Sequence, residues 1–390
     1  MAQQRQAVDV VGGVDTHRDT HTAAVLDTAG RQLGSAQFPA TAAGYGQLLE
    51  WMCGFGTVVK VGVEGTGSYG ANLTRYLTGA GVTVVEIDRP DRKTRRWQGK
   101  SDPVDADAAA RAVLAGRRTG VPKDRDGRVE AVRALRVARR GAVSHRADVV
   151  RQMKALIVTA PEPVRAALSG LTTARLVAVC AEVEVSAAQA GDPAVAVRLA
   201  LRSLACRVRH LSDEIVDLDK VIGRLVAVVA PKLLAVNGVG ADCAGQLLVS
   251  AGDNPDRLRS EAAFAMLCGV APLPASSGRT HRYRLNRGGD RQANAALYRV
   301  VLCRLRWARP PRPTPSAAPP KARPRKRSSA ASNATSPGRS TRSSPPLPYR
   351  TIFLRLRDLS GNLDGGGPLL PIGGRIRSRP APRSRGGLAS

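Results

Sequence analysis

The sequence predicts an α/β domain joined to a mainly helical region, followed by a basic tail that builds no core. Three observations lead there: short apolar runs broken by turn residues at the start, a long alternating four-three apolar repeat in the middle, and a Pro-, Ser- and Arg-rich ending. The 390 residues carry 60 Lys plus Arg against 31 Asp plus Glu, a formal net charge of +29. That balance fits two or three domains and a polyanionic partner, with nucleic acid as the first candidate.

Residues 8–125 read as the α/β domain. VDVVGGVDTH, HTAAVLDTAG and RQLGSAQFPA suggest a three-stranded antiparallel meander. A helix over Gly44 to Cys53, the strand TVVKVGVE, a helix from Tyr69 to Thr78, the strand VTVVEI and a helix opening near Ser101 follow. A meander followed by alternating β and α units matches the ribonuclease H arrangement, although fold alone does not give function.

Residues 126–230 are helical. From Arg128 to Leu156, apolar Val132, Leu135, Val149, Met153 and Leu156 alternate with Arg133, Arg136, Arg139, Arg140, Arg146 and Arg151. Such a stripe suits a phosphate backbone, and equally a solvated face of a bundle. Val197, Leu201, Leu204, Val208, Leu211, Ile215, Leu218, Ile222, Leu225 and Val229 then keep the spacing of a coiled-coil seam. The seam predicts self-association. An antiparallel hairpin with the Arg128 to Leu156 helix of the same chain satisfies the same pattern.

Residues 231–307 form a further unit. LLAVNGVGADCAGQLLVSAG sets Asn237, Gly238 and Gly240 between two apolar runs, like a helix-hairpin-helix whose backbone N–H groups suit a phosphate. A plain αα turn reads the same way. The tail, 308–390, is expected to be disordered. From residue 309 it holds 17 Lys plus Arg against two acids, and 15 of the 26 prolines.

The composition also limits the chemistry. Aromatics are 3% of the chain, so Arg and Lys contacts to phosphate are expected to outweigh base stacking. Cys53, Cys180, Cys206, Cys243, Cys268 and Cys303 form no CxxC pair, which reads as reduced thiols rather than a disulfide frame or zinc site. No apolar run approaches a membrane span and the first residues carry no signal-peptide core, so no membrane partner and a cytoplasmic location are expected.

Within this basic chain, Asp15, Glu64, Asp102 and Asp105 each fall where a strand ends or a helix begins. Asp102 and Asp105, three apart in KSDPVDADAAARA, share one helix face. Singly each has a structural explanation: Asp102 as an N-cap before Pro103, Glu64 as the end of a strand. A ribonuclease H sheet brings all four together. Clustered carboxylates repel one another unless divalent cations are present, with two Mg²⁺ (or Mn²⁺) ions about 3.5–4 Å apart as the expected occupants. His17, Asp19 and His21 alternate in step with Asp15, which raises a histidine-containing site. Nothing else in the sequence completes one, and His17 is placed around the acids.

VGGVDTHRDTHTAAVLD, VGVEGTGSYGANLTRYL, KSDPVDADAAARA, LLAVNGVGADCAGQLL and FAMLCGVAPLPASSGRTHRYRLNRGGDRQANAALYRV together resemble the DEDD transposases of bacterial insertion sequences, the IS-one-ten type. The resemblance covers about residues 8–305. It implies a RuvC-like domain with Asp15, Glu64, Asp102 and Asp105 as catalytic metal ligands, and a transposase domain with a nucleophilic serine. That serine maps to Ser277 before Gly278, with Ser276 adjacent. Arg279, Arg282, Arg284, Arg287 and Arg291 follow closely and suit phosphate binding. The resemblance further implies donor and target DNA, a guide RNA encoded by the element, dimers that pair into tetramers through the coiled coil, and a bacterial, nucleoid-associated setting. It breaks off soon after Trp307, where RPPRPTPSAAPP begins. A frame shift near Ala308 to Pro310, leaving an inactive copy, and a genuine basic arm are the two readings of the tail. A RuvC-like nuclease and an inactive nucleic-acid-binding remnant are the competing functions.

Overall fold

The computed structural model describes residues 8–87, 101–116 and 120–307, except 279 and 281, together with 352, 354 and 355. The expected tail falls outside the described residues apart from those last three.

The first unit is a five-stranded sheet: β1 (Asp9–Thr16), β2 (Thr20–Asp27), β3 (Gln32–Pro39), β4 (Thr57–Glu64) and β5 (Thr83–Ile87), in the order β3-β2-β1-β4-β5. β2 pairs antiparallel with β1 and β3, while β4 lies parallel to both β1 and β5. The meander and the parallel crossovers therefore occur in the expected order.

Helices α1 (Ala42–Cys53) and α2 (Ala71–Gly79) cover one face, and α3 (Asp102–Leu114) covers the other. α1 opens earlier than its apolar pattern suggests because Thr41 caps it, accepting from the Gly44 amide at 3.1 Å. Val10, Val14, Leu48, Met52, Leu73 and Leu77 form the core under α1 and α2. Each large side chain buried in full contributes about 1.5–3 kcal/mol. Because strand side chains alternate, Val11, Gly13 and Asp15 face α3 instead.

Gly13 fixes how close α3 comes. A Cβ there would stand 2.2 Å from the Ala106 carbonyl oxygen and the Ala110 nitrogen, so only glycine admits the helix at this distance. Gly62 does the same on β4, where a Cβ would meet Val113 Cγ2 at 2.6 Å.

Beyond the sheet, α4 (Arg128–Val158) is followed by α5 (Glu162–Leu168), α6 (Thr173–Ala181) and α7 (Pro193–Val229). α7 opens at Pro193 with Asp192 as its cap. α4 and α7 run antiparallel: Arg139 pairs with Asp219 and Arg146 with Ser212, seven residues apart on each helix. Leu201, Val208, Ile215, Ile222 and Val229 of the four-three repeat are buried here, and Leu204, Leu211 and Leu225 pack partly buried beside them. The seam is thus filled within one chain by the hairpin that satisfied the same pattern, and its apolar positions do not themselves call for a second copy.

The remaining elements are α8 (Pro231–Leu234), α9 (Ala241–Ala251), α10 (Glu261–Leu267), the short strands β6 (Leu273–Pro274) and β7 (Tyr283–Arg284), and α11 (Arg291–Trp307). Leu233, Ala244, Leu247, Leu248, Phe264 and Val300 join the ends of α4 and α7 in one core. No described helix is long and apolar enough to cross a membrane.

Candidate functional site

Asp15 and Asp102 meet where a strand end faces a helix start. The parallel register Val14↔Val63 leaves Asp15 and Glu64 side by side as the next residues of β1 and β4. Thr16 Oγ1 donates to the Glu64 carbonyl at 2.7 Å and holds the two ends together. Asp15 is 7% exposed and Asp105 only 2%, while Asp102 lies nearer the surface. α3 reaches them because Pro103 follows its first residue and Gly13 lets it close on β1.

Ligand atoms of Asp15, His17 and Asp102 all fall within 4.8 Å of one another. His17 Nδ1 stands 3.6 Å from Asp15 Oδ2 and 3.9 Å from Asp102 Oδ2. Glu64 and Asp105 are not part of this group: Glu64 is held at the neighbouring strand end, and Asp105, three residues after Asp102 on the same helix, is buried. An open cavity of about 290 Å³ continues from Asp15 past Glu64 and the Gly65–Ser68 turn to Glu86.

Two features differ from the sequence expectation. The histidine alternation breaks because β1 ends at Thr16 and the chain turns back, with the His17 amide donating to the Thr20 carbonyl at 3.0 Å. His17 stays with the acids, but His21 pairs with Thr16 and is wholly buried against Tyr45, ring centroids 5.6 Å apart. Burial pushes the His21 imidazole below its usual pKa. Glu86 was not anticipated. It accepts from Thr66 Oγ1 at 2.7 Å and pairs with Arg257 at 3.0 Å. The available signal was a single acid near the end of an apolar strand, the same pattern that singled out Glu64.

The donor set suits a divalent cation. Carboxylate oxygens favour hard ions such as Mg²⁺ or Mn²⁺, and one imidazole is compatible with the latter. Residues 12–160 match the model of a transposase family, the DEDD transposases of the IS110 type, and residues 230–314 match the transposase IS116/IS110/IS902 family. The chain belongs to the IS110-type transposases. No curated protein matches it. Membership implies an enzyme of the DNA transposase class and use of a divalent metal. The second match ends at residue 314, just beyond Trp307, where the composition changes.

In this IS110-type transposase the two candidate serines occupy the hairpin between β6 and β7. Ser277 and Thr280 exchange backbone hydrogen bonds at 3.1 and 3.0 Å around Gly278, whose φ of +54° suits glycine. Ser276 Oγ is engaged with the Arg282 backbone, accepting from its amide at 3.3 Å. The Ser277 hydroxyl is exposed and has no hydrogen bond among the described residues. No hydrogen bond or ion pair of the described residues links Ser277 to the acids. Arg282, Arg284, Arg287 and Arg291 are exposed around the hairpin, while Arg279 lies outside the described residues.

Gly238 and Gly240 part company. Gly238 has φ +84° and packs under α11, where a Cβ would stand 2.9 Å from Arg304 Cγ and 3.1 Å from the Val300 carbonyl. That contact explains the glycine without a phosphate. Gly240 precedes α9 with open space around it and no side-chain cap.

Proposed function

We propose that the protein cuts and rejoins DNA through Ser277, using Asp15, Glu64, Asp102 and Asp105 to hold divalent cations. The observation that carries this reading is the convergence of Asp15 and Asp102, with Glu64 alongside, on one face of a sheet whose strand order is that of ribonuclease H.

The acids orient a phosphodiester at the mouth of the cavity, and His17, between Asp15 and Asp102, positions both carboxylates. A bound cation supplies charge neutralisation at the phosphoryl oxygens and activation of the attacking oxygen. Ser277 Oγ forms a bond to phosphorus as the bond to one ester oxygen breaks. The serine proton passes to solvent water, since the Ser277 hydroxyl is exposed, and the departing oxygen gains a proton as a free hydroxyl. The phosphoserine keeps the energy of the broken ester, so rejoining to a second strand needs no nucleotide. Ser277 is favoured over Ser276 because its hydroxyl is exposed and uncommitted. Exposed Arg282, Arg284 and Arg287 neutralise the phosphate, with the N–H groups near Gly240 as a further contact. A guide RNA selects donor and target DNA, and paired copies bring the serine of one protomer to the acids of another.

The test is a covalent protein–DNA adduct in Mg²⁺ with element RNA and DNA. We expect the adduct from the wild-type chain, its loss in Ser277→Ala with Ser276→Ala retaining it, and its loss in Asp15→Asn. Absence of any adduct from the wild-type chain overturns the proposal. A second reading, hydrolysis by the acids alone, is favoured because no hydrogen bond among the described residues ties the Ser277 hydroxyl to the acids. Cleavage that survives Ser277→Ala but not Asp15→Asn establishes it.

A further inference from the structure

We propose that a recess where α4, α9 and α11 meet binds one phosphodiester of a nucleic-acid backbone, with Arg140 and Arg299 as its accessible contacts. This rests on the reading that the chain handles nucleic acid, but it concerns neither the acids nor the serine. The recess has a volume of about 410 Å³, enough for a phosphate with its sugars.

Its walls are built rather than incidental. Arg136, with a side chain only 13% exposed, donates to the Asp242 carbonyl at 2.8 Å, to Asp242 Oδ1 at 2.7 Å and to Gln246 Oε1 at 3.1 Å. Arg299 reaches the other Asp242 oxygen from α11 at 2.6 Å, and Arg139 lies 3.5 Å from Oδ1. Three guanidinium groups therefore converge on one carboxylate. Arg139 has a second partner in Asp219 across the helix hairpin. Arg140, exposed on the rim, makes no ion pair among the described residues.

The other acid of the lining does little to balance this charge. Asp290 Oδ1 accepts from the amides of Gln292 and Ala293 at the start of α11, and its Oδ2 accepts from Ser250 at 2.6 Å. Its charge is thus directed at a helix N-terminus rather than at the arginines. What remains is a recess of fixed, planar donors with an excess of positive charge. A phosphodiester supplies one negative charge and two acceptor oxygens, which guanidinium groups bind as a fork. Burial alone would raise the Asp242 carboxyl, yet Arg136, Arg299 and Arg139 hold it below its usual pKa, in keeping with a strongly positive surrounding.

The sequence pattern explains the placement. Arg133, Arg136 and Arg140 are spaced by three and four along α4 and share one face. The chain turns that face toward α9 and α11 instead of leaving it along an open helix.

The experiment uses the full chain carrying Asp15→Asn, in chelator, so that no strand is cut. Binding of a short mixed-sequence single-stranded RNA and of duplex DNA is read by fluorescence anisotropy across a salt series. Arg140→Gln/Arg299→Gln is compared with Arg202→Gln/Arg207→Gln, which removes equal charge from the exposed side of α7. We expect the recess pair to weaken binding roughly tenfold and to lower the salt slope by about one, as loss of a phosphate contact implies. The control pair is expected to leave the slope unchanged. Loss on RNA alone assigns the phosphate to RNA, loss on DNA alone to DNA, and loss on both to a backbone the recess does not distinguish. Equal weakening by the two pairs, or no change from the recess pair, overturns the proposal. Because no strand transfer is read, failure here leaves the serine chemistry standing, and failure of the adduct assay leaves the recess standing.

Discussion

Arg257 donates to Glu86 Oε2 at 3.0 Å, while Oε1 of the same carboxylate accepts from Thr66 in the turn that follows Glu64. The helical region is thereby tied to the rim of the acidic cavity. The same guanidinium also holds the carbonyls of Val121 and Ala251, at 2.8 and 3.3 Å. With the Arg257 side chain 11% exposed and Glu86 32%, the pair is shielded enough for its loss to be felt.

Arg257→Ala leaves the Glu86 carboxylate without its cation, and we expect a loss of roughly 2–4 kcal/mol, near the range for breaking a buried pair. Urea denaturation of Arg257→Ala, Glu86→Gln and the double variant measures it. Additive effects in that cycle would show that the two groups are not coupled.

Gly13→Ala sets a methyl group 2.2 Å from the α3 backbone. The helix must move off β1, carrying Asp102 and Asp105 away from Asp15. We expect a drop in thermal stability together with weaker Mn²⁺ binding by calorimetry. Unchanged Mn²⁺ affinity would mean that the helix approach does not build the site.

Burial lowers the pKa of His21 in the folded chain below 6.5, so the unfolded chain takes up this proton first. The stability associated with a neutral His21 is present above 6.5 and lost as pH falls through the folded value. His21→Phe keeps the stack on Tyr45 and removes the titration. Melting temperatures of the two proteins should therefore diverge as pH falls below 6.5, with the wild type falling faster. Parallel curves would exclude His21 as the cause.

Lys123 donates to the Val249 carbonyl at 2.7 Å, and burial first, then Arg257 and Arg125, bring its amine down to about 8 against opposing pulls from Asp290 and Glu86. The unfolded amine keeps its proton to 10.5, so the penalty of a buried charge is relieved between 8 and 10.5 and stability from this group rises with pH there. Lys123→Met should flatten that rise relative to wild type in denaturation curves. An identical slope would remove Lys123 from the account.

We propose that the change in composition after Trp307, where RPPRPTPSAAPP begins, marks a shift of reading frame. Translation of the other two frames of the gene downstream of this point should recover helical, acid-balanced sequence. Its absence from both frames leaves a genuine basic arm as the reading.

The sequence by itself determined the order of the elements and marked out the acids as candidates. Apolar runs of strand length separated by turn residues set the meander, and Asp15, Glu64 and Asp102 stood out because charged residues at strand ends and helix starts have few structural reasons to recur together. Local pattern carries such information because alternation and capping depend on neighbours in the chain. Only the tertiary structure decided the rest. The seam from Val197 to Val229 states that an apolar stripe must be covered, and folding covered it with α4 of the same chain. His17 and His21 alternate identically with Asp15, and a tight turn sent one to the acids and the other to Tyr45. Glu86 entered the cavity, and Asp242 came to face three arginines, through residues far apart in the chain. A sequence pattern specifies which surface must be buried or neutralised, whereas the partner is selected by packing and charge across distances that no local pattern encodes.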